Sequence, residues 1–82
     1  MSEAEILGGV SSVARAHLQH EGELDPKTPL VTGLRLDSVR MLTLVVELEN
    51  HFAVNLEDGD EVGLETVGDL VALLRRRLDA NA

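Results

Sequence analysis

The sequence contains no cysteine and only one aromatic residue, Phe52. Without cysteine, disulfide bonds, thiolate metal sites and a nucleophilic thiol of the protein's own are excluded. The core must instead be built from aliphatic side chains, which are plentiful because hydrophobic residues make up 44% of the 82 positions. A chain of this length is too short for two cores, so we expect a single domain over residues 1–82.

Basic residues are also scarce, with 7 lysines and arginines against 15 acids and a net charge of −8. A domain this acidic repels nucleic-acid phosphates and anionic lipid, so we expect neither as a partner. No apolar run is long enough to cross a bilayer. Residues 1–8 carry acids where a signal peptide would carry bases, which favours a cytoplasmic protein, expected to be a monomer.

The acidic residues are concentrated in one part of the chain. Residues 47–69 contain eight acids and no lysine or arginine. One interpretation is a solvated face that keeps the protein soluble. The other is a docking surface for basic patches of partner proteins, for which the candidate residues are Glu47, Glu49, Glu57 and Asp58.

Hydrophobic periodicity predicts three amphipathic helices and no strand of comparable length. The first begins at Ser2 or Glu3, the second runs from Ser38 to about Phe52 with Asp37 as its N-cap, and the last begins at Thr66. A proline-containing loop covers about residues 21–36, and residues 55–63 have room for at most a helical turn or two. The sequence therefore predicts an all-α fold, a small four-helix bundle with a long loop between helices I and II and a short helix III.

The second predicted helix has two apolar stripes where one is usual. The core stripe consists of Met41, Leu44, Val45, Leu48 and Phe52. The other stripe consists of Val39, Leu42 and Val46. This second stripe either lies under the loop or the short third helix, or it is an exposed surface for docking a partner.

Ser38 lies where the long loop enters the second predicted helix. Free backbone N–H groups and the positive end of the helix dipole favour an anion at this position. No Gly-x-Ser-x-Gly motif surrounds Ser38, and the spacing of the three histidines assigns none of them as its base. Ser38 is therefore expected to be modified by another enzyme rather than to act as a nucleophile in catalysis.

No metal site is expected. His17 and His20 lie three residues apart on one predicted helix, but no third ligand accompanies them. The acidic segment from Asp58 to Gly63 departs from a calcium-binding loop because Val62 occupies a ligand position.

The segment that contains Ser38 resembles a known family. The sequence Leu34-Arg35-Leu36-Asp37-Ser38-Val39, followed by Leu42, Leu48, Glu49 and Phe52, is similar to the acyl carrier and peptidyl carrier proteins. Their hallmark is Asp-Ser-Leu or a close variant at the start of helix II. The resemblance extends over nearly the whole chain, to the segment Thr66–Leu70 that opens the last helix.

This resemblance implies a carrier and not an enzyme. A phosphopantetheinyl transferase, using coenzyme A and Mg²⁺, would attach 4′-phosphopantetheine to Ser38 beside Asp37, and the thiol of that arm would hold an acyl, polyketide or aminoacyl intermediate as a thioester. The other partners implied are an acyl- or aminoacyl-loading enzyme and condensing or transferase enzymes. By position, Val39, Leu42 and Val46 correspond to apolar contacts that partner enzymes grip. The residues implied to line the core or an acyl cavity are Leu30, Met41, Leu44, Val45, Leu48, Phe52, Leu56 and Leu64.

Some residues depart from the pattern of fatty-acid carriers. Arg35-Leu36 precede Asp37, and Arg40 places a positive charge in the first turn of the second helix, where it opposes the helix dipole. The sequence Gly33-Leu34-Arg35-Leu36-Asp37-Ser38, preceded by Thr28-Pro29-Leu30, is closer to free-standing carriers of specialised pathways for polyketide, aminoacyl or D-alanyl transfer. Arg40 is then expected to act in docking, by rejecting the partners of generic carriers. The alternatives are a housekeeping fatty-acid carrier and an unmodified helical adaptor that binds one protein through Val39, Leu42 and Val46.

Overall fold

The computed structural model describes residues 2–22, 24–57, 59–60 and 63–80 of the chain. Over these residues the fold is helical and contains no strand. The helices are α1 (Glu3–His17), α2 (Leu30–Gly33), α3 (Ser38–Phe52) and α4 (Val67–Ala80). The predicted all-α class is therefore confirmed, and no helix among the described residues is long and apolar enough to cross a membrane.

Side-chain caps begin the three long helices. At α1, the Ser2 hydroxyl accepts the N–H of Glu5 while the Glu5 carboxylate accepts the N–H of Ser2, each at 3.2 Å. At α4, Asp69 Oδ2 accepts the N–H of Thr66 at 3.1 Å, and Thr66 Oγ1 accepts the N–H of Asp69 at 3.2 Å. Such reciprocal pairs satisfy N–H groups that the helix itself leaves without partners. The predicted starts of α1 and α4 are thus confirmed to within a residue.

Helix α1 packs against both α3 and α4, and their facing apolar stripes form the core. The fully buried side chains of large volume are Ile6, Val10, Leu30, Leu34, Leu44, Leu48, Val67 and Leu74. No buried side-chain nitrogen or oxygen within the described residues lacks a hydrogen-bond partner. An aliphatic core of this kind is what a sequence with a single aromatic residue requires.

The connection between α1 and α3 is held in place by the start of α4. The N–H of Leu30 donates to Glu65 O at 2.9 Å, the N–H of Val67 to Thr28 O at 2.9 Å, and the N–H of Gly68 to Pro26 O at 2.8 Å. A Cβ atom at Gly68 would lie 3.0 Å from that same Pro26 oxygen, so glycine permits the close approach. These bonds position α2, which the sequence analysis had assigned to loop.

The short helix of the described structure lies in this first connection. Between α3 and α4, residues 54–57, 59–60 and 63–66 form turns and irregular backbone. Residues 58, 61 and 62 lie outside the described residues. They belong to the segment in which the sequence predicts a short third helix. They also include Val62, which was compared above with a ligand position of a calcium-binding loop.

Two adjacent glycines of α1 lie in opposite environments. Gly8 is exposed, and a Cβ atom added there would meet open space. Gly9 is buried, and a Cβ atom added there would collide with the ring of Phe52 and approach His51 Nε2 closely. We therefore expect Gly8→Ala to stabilise the protein by about 0.5–1 kcal/mol through its helix propensity. Gly9→Ala should lower the free energy of unfolding by about 1–3 kcal/mol, because the new methyl group displaces a buried ring.

Urea denaturation of the two variants beside wild type measures both effects. The pair is matched, since the same methyl group is added at neighbouring positions of one helix. Stabilisation by both substitutions to the same extent would contradict the close contact between α1 and Phe52.

Candidate functional site

Ser38 is the first residue of α3, as predicted. Asp37 precedes it in extended conformation, and its Oδ1 atom accepts the N–H of Arg40 at 2.8 Å while its carbonyl accepts the N–H of Met41, also at 2.8 Å. This arrangement is an N-cap, which fixes the first turn of the helix. Asp37 therefore holds the backbone that presents Ser38.

The Ser38 side chain is exposed. Among the described residues no group forms a hydrogen bond with its hydroxyl, and the N–H groups of Ser38 and Val39 have no backbone acceptor. The free hydroxyl and the two free N–H groups lie at the positive end of the α3 dipole. A phosphate ester on Ser38 Oγ fits this environment, because both the donors and the dipole favour negative charge.

Nothing in the described structure activates Ser38 as a nucleophile. The His17 Nε2 atom lies 3.1 Å from Glu47 Oε2, and the His51 ring lies edge-on to Phe52 with 4.8 Å between their centroids. No three histidine or carboxylate side chains of the described residues converge as metal ligands.

The second apolar stripe of α3 faces outward. Val39 is 73% exposed, Leu42 64% and Val46 41%. The predicted exposure of this stripe is confirmed, and the alternative in which Leu42 and Val46 lie under the loop or the third segment is wrong. Val31 on α2 is 49% exposed as well. Sequence reasoning missed Val31 because it treated this segment as loop without a defined face.

The acids predicted to dock partners differ in their surroundings. Glu47 is half-buried beside His17, and Glu49 Oε2 accepts the N–H of Leu56 at 2.9 Å, which ties the segment after α3 back onto the helix. Glu57 is exposed, with Arg77 3.9 Å from its carboxylate. Asp58 lies outside the described residues. Of the three predicted docking acids that the structure describes, Glu57 is thus the most exposed.

Arg40 is half-buried, and its side chain folds back toward α1. One terminal nitrogen donates to Leu18 O at 2.8 Å and to Leu34 O at 3.0 Å, while Nε donates to Arg35 O at 3.0 Å. From the sequence, Arg40 is expected to act in docking, by rejecting the partners of generic carriers. The described hydrogen bonds of its side chain are instead made to backbone carbonyls within the chain.

An apolar space lies between α2, α3, α4 and the segment that joins α3 to α4. Its walls include seven of the eight residues implied for the core or cavity, all except Phe52, which packs against Gly9 instead. Leu70 and Leu73 of α4 complete the walls, and Asp60 lies at the edge. The volume is about 10 Å³, close to the smallest that holds one water molecule. An acyl chain could enter only if these elements moved apart.

Asp60 connects the edge of this space to α4. Its two carboxylate oxygens accept hydrogen bonds from one terminal nitrogen of Arg77 at 2.9 and 2.7 Å, and Oδ2 also accepts the N–H of Glu57 at 2.9 Å. The hydrogen bond from Glu57 and the Arg77 guanidinium hold the pKa of Asp60 below its ordinary value. Sequence reasoning missed this pair because its members are 17 residues apart.

The lowered pKa of Asp60 predicts a specific loss of stability in acid. A carboxyl whose pKa is lower in the folded state than in the unfolded state stabilises the fold above the unfolded value of about 4, and this contribution is lost as the pH falls through the folded pKa. We expect Asp60→Asn to lower the free energy of unfolding at pH 7 and to reduce its dependence on pH below about 4. Asp79→Asn, at an exposed position near the end of α4, is the control. An acid dependence equal to wild type in the Asp60 variant would contradict the assignment.

Comparison with known families identifies a match over most of the chain. The family described as "Phosphopantetheine attachment site" matches residues 6–74, a range that contains Asp37, Ser38 and the outward stripe of α3.

Several relatives are identical to the chain at about a third of the aligned residues. The meromycolate extension acyl carrier protein of Mycobacterium tuberculosis is 30% identical over 82 residues, which cover 99% of this chain and 71% of that protein. The acyl carrier protein of Thermotoga maritima is 31% identical over 78 residues, 94% of this chain and 96% of that protein. The acyl carrier protein of Kineococcus radiotolerans is 37% identical over 75 residues, 89% of this chain and 91% of that protein.

Proposed function

Since the chain belongs to the acyl carrier protein family, whose domain is the site of covalent 4′-phosphopantetheine attachment, we propose that Ser38 is the residue that carries the group. The observation that supports this most directly is an exposed, free serine hydroxyl at the capped start of α3. We further propose that this single domain spans residues 1–82.

The residues around Ser38 have distinct tasks in this proposal. Asp37 fixes the first turn of α3, so that the hydroxyl is presented in one place, and the N–H groups of Ser38 and Val39 face the phosphate. When attached, the group supplies a flexible arm with a terminal thiol that holds the cargo as a thioester. The protein is a carrier, so a separate phosphopantetheinyl transferase must remove the proton from the Ser38 hydroxyl during attachment.

The outward stripe of α3 is the proposed contact for partner enzymes. Val39, Leu42 and Val46 present apolar area beside the attachment site, and exposed apolar side chains in a group are typical of a binding surface. Glu57 adds negative charge, which would steer a basic partner patch toward the carrier and weaken with added salt.

We propose a specialised acyl pathway rather than housekeeping fatty-acid synthesis. Several of the relatives are named for meromycolate extension, and Arg35-Leu36 and Arg40 depart from the pattern of fatty-acid carriers. The housekeeping role remains the second candidate, because the relatives from Thermotoga and Kineococcus are named only acyl carrier protein. Polyketide and aminoacyl groups are further candidates for the cargo, since the loading enzyme and not the carrier selects it.

Attachment is tested by intact-protein mass spectrometry. The purified chain is incubated with coenzyme A, Mg²⁺ and a broad-specificity phosphopantetheinyl transferase, and the modified peptide is then mapped. We expect one group per chain, on the peptide that contains Ser38. An unchanged mass would refute the carrier function and favour the unmodified adaptor.

The pathway is tested on carrier isolated from its native host. Release of the thioester-bound cargo and its identification by mass spectrometry distinguish a specialised acyl chain from the ordinary intermediates of fatty-acid synthesis. Recovery of the latter alone would overturn the proposed pathway and leave the carrier function intact.

A further inference from the structure

The side chain of Arg40, in the first turn of α3, joins three other segments of the chain. Its acceptors are the carbonyls of Leu18 at the end of α1, Leu34 at the end of α2, and Arg35 in the loop before α3. Leu18 and Leu34 are themselves buried, with exposures of 2% and 1%. One guanidinium therefore bridges the end of α1, the end of α2 and the loop that leads into Ser38.

The position of this charge explains why an arginine is tolerated in the first turn of α3. Near the start of its own helix a cation is unfavourable, but the Arg40 side chain carries its charge to the carbonyl end of α1, where a cation is favourable. The hydrogen bonds also satisfy carbonyls that α1 and α2 leave without helical partners. The arginine fork matters here because Nε and a terminal nitrogen serve different carbonyls, an arrangement that a lysine ammonium does not reproduce.

The bridged segments flank Ser38 closely in the sequence. Arg35 lies three residues before it with a left-handed φ of 53°, and Arg40 lies two residues after it. Between them, the N–H of Leu36 donates to Val31 O at 2.8 Å, which closes the loop over α2. The hydrogen bond from Arg40 to Arg35 O therefore links the first turn of α3, which begins with Ser38, to the loop that precedes Ser38.

We propose that Arg40 is a positioning residue, which holds the loop and the first turn of α3 in the geometry that a phosphopantetheinyl transferase recognises. This inference rests on the proposed attachment at Ser38. It differs from the docking role expected from the sequence, because it requires the hydrogen-bonding fork of the side chain and not only its positive charge.

Arg40→Lys separates the two roles, since it keeps the charge and removes the fork. Arg35→Lys is the matched control, because the bonds described at Arg35 involve its carbonyl while its exposed side chain makes none of them. In hydrogen exchange, we expect the Leu36 amide of the Arg40 variant to exchange about tenfold faster than in wild type, the effect of losing one or two charge-assisted bonds. The Leu74 amide in the core of α4 should keep its protection, as should both amides in the control.

The transferase reaction provides the functional readout. With apo protein well below its melting temperature, we expect Arg40→Lys to lower kcat/KM about tenfold, chiefly through KM, because fewer molecules present Ser38 correctly at any moment. Arg40→Ala should lower kcat/KM more than Arg40→Lys does, and the kcat/KM of Arg35→Lys should equal that of wild type. Wild-type rates of exchange and modification in Arg40→Lys would overturn the proposal, as would equal loss of protection at Leu36 and Leu74, which would indicate a general destabilisation.

Failure of the proposed function gives a different result. If wild-type protein is not modified at Ser38, attachment is refuted whatever the exchange rates show. If wild type is modified but Arg40→Lys is modified equally fast, only the positioning role is refuted.

Discussion

Ser38→Ala is expected to abolish attachment of phosphopantetheine completely, while the free energy of unfolding stays within about 0.5 kcal/mol of wild type. The exposed Ser38 hydroxyl makes no described hydrogen bond, so its removal leaves no buried group unpaired. Asp37 still caps α3 through the N–H of Arg40. Intact mass after incubation with coenzyme A and transferase measures the first effect, and urea denaturation measures the second.

Ser12→Ala supplies the control for this experiment, since Ser12 is also an exposed serine but lies within α1. Its modification should equal that of wild type. Modification that persists in the Ser38 variant, or that moves to Ser11 or Ser12, would refute the assignment of the attachment site.

Leu42→Asp is expected to lower the kcat/KM of the transferase about thirtyfold, corresponding to loss of about 2 kcal/mol from one central apolar contact. Val46→Asp should act in the same direction with a smaller effect, because Val46 is less exposed than Leu42. Neither change should alter the melting temperature appreciably, since an exposed carboxylate remains hydrated. The loss should occur although the added negative charge would by itself attract a basic enzyme.

Val31→Asp is the matched control for the outward stripe. Val31 is 49% exposed and receives the same added charge, but it lies on α2 and not on the stripe of α3. An equal loss of activity in this variant would show that the effect is not specific to Leu42 and Val46. A collapse of stability in Leu42→Asp would contradict the outward orientation of the side chain.

Features that depend on neighbouring residues could be predicted from the sequence. The caps at Ser2, Asp37 and Thr66 each act within three residues, and the helices they begin were predicted with nearly correct starts. Helical periodicity also separated Val39, Leu42 and Val46 from the core stripe of α3, although it left open whether they were buried or exposed.

Features that depend on distant residues could not be predicted. Helix α2 is anchored by the bond from Leu30 to Glu65 O, and Arg40 reaches Leu18 O across 22 positions of sequence. No local pattern reports where a carbonyl so far away will lie. Phe52 shows the same limit: its periodicity placed it on the core face, but whether it faces α1 or the apolar space depends on Gly9 of another helix.

The backbone bonds between residues 26–30 and 65–68 have a consequence for the order of events during synthesis. Ser38 leaves the ribosome well before Glu65, Val67 and Gly68, which hold the connection that leads into it. Until those residues emerge, the segment from Pro26 to Leu30 lacks the backbone partners that fix it. The connection that leads into Ser38 therefore acquires its final setting only after residues 65–68 have been synthesised.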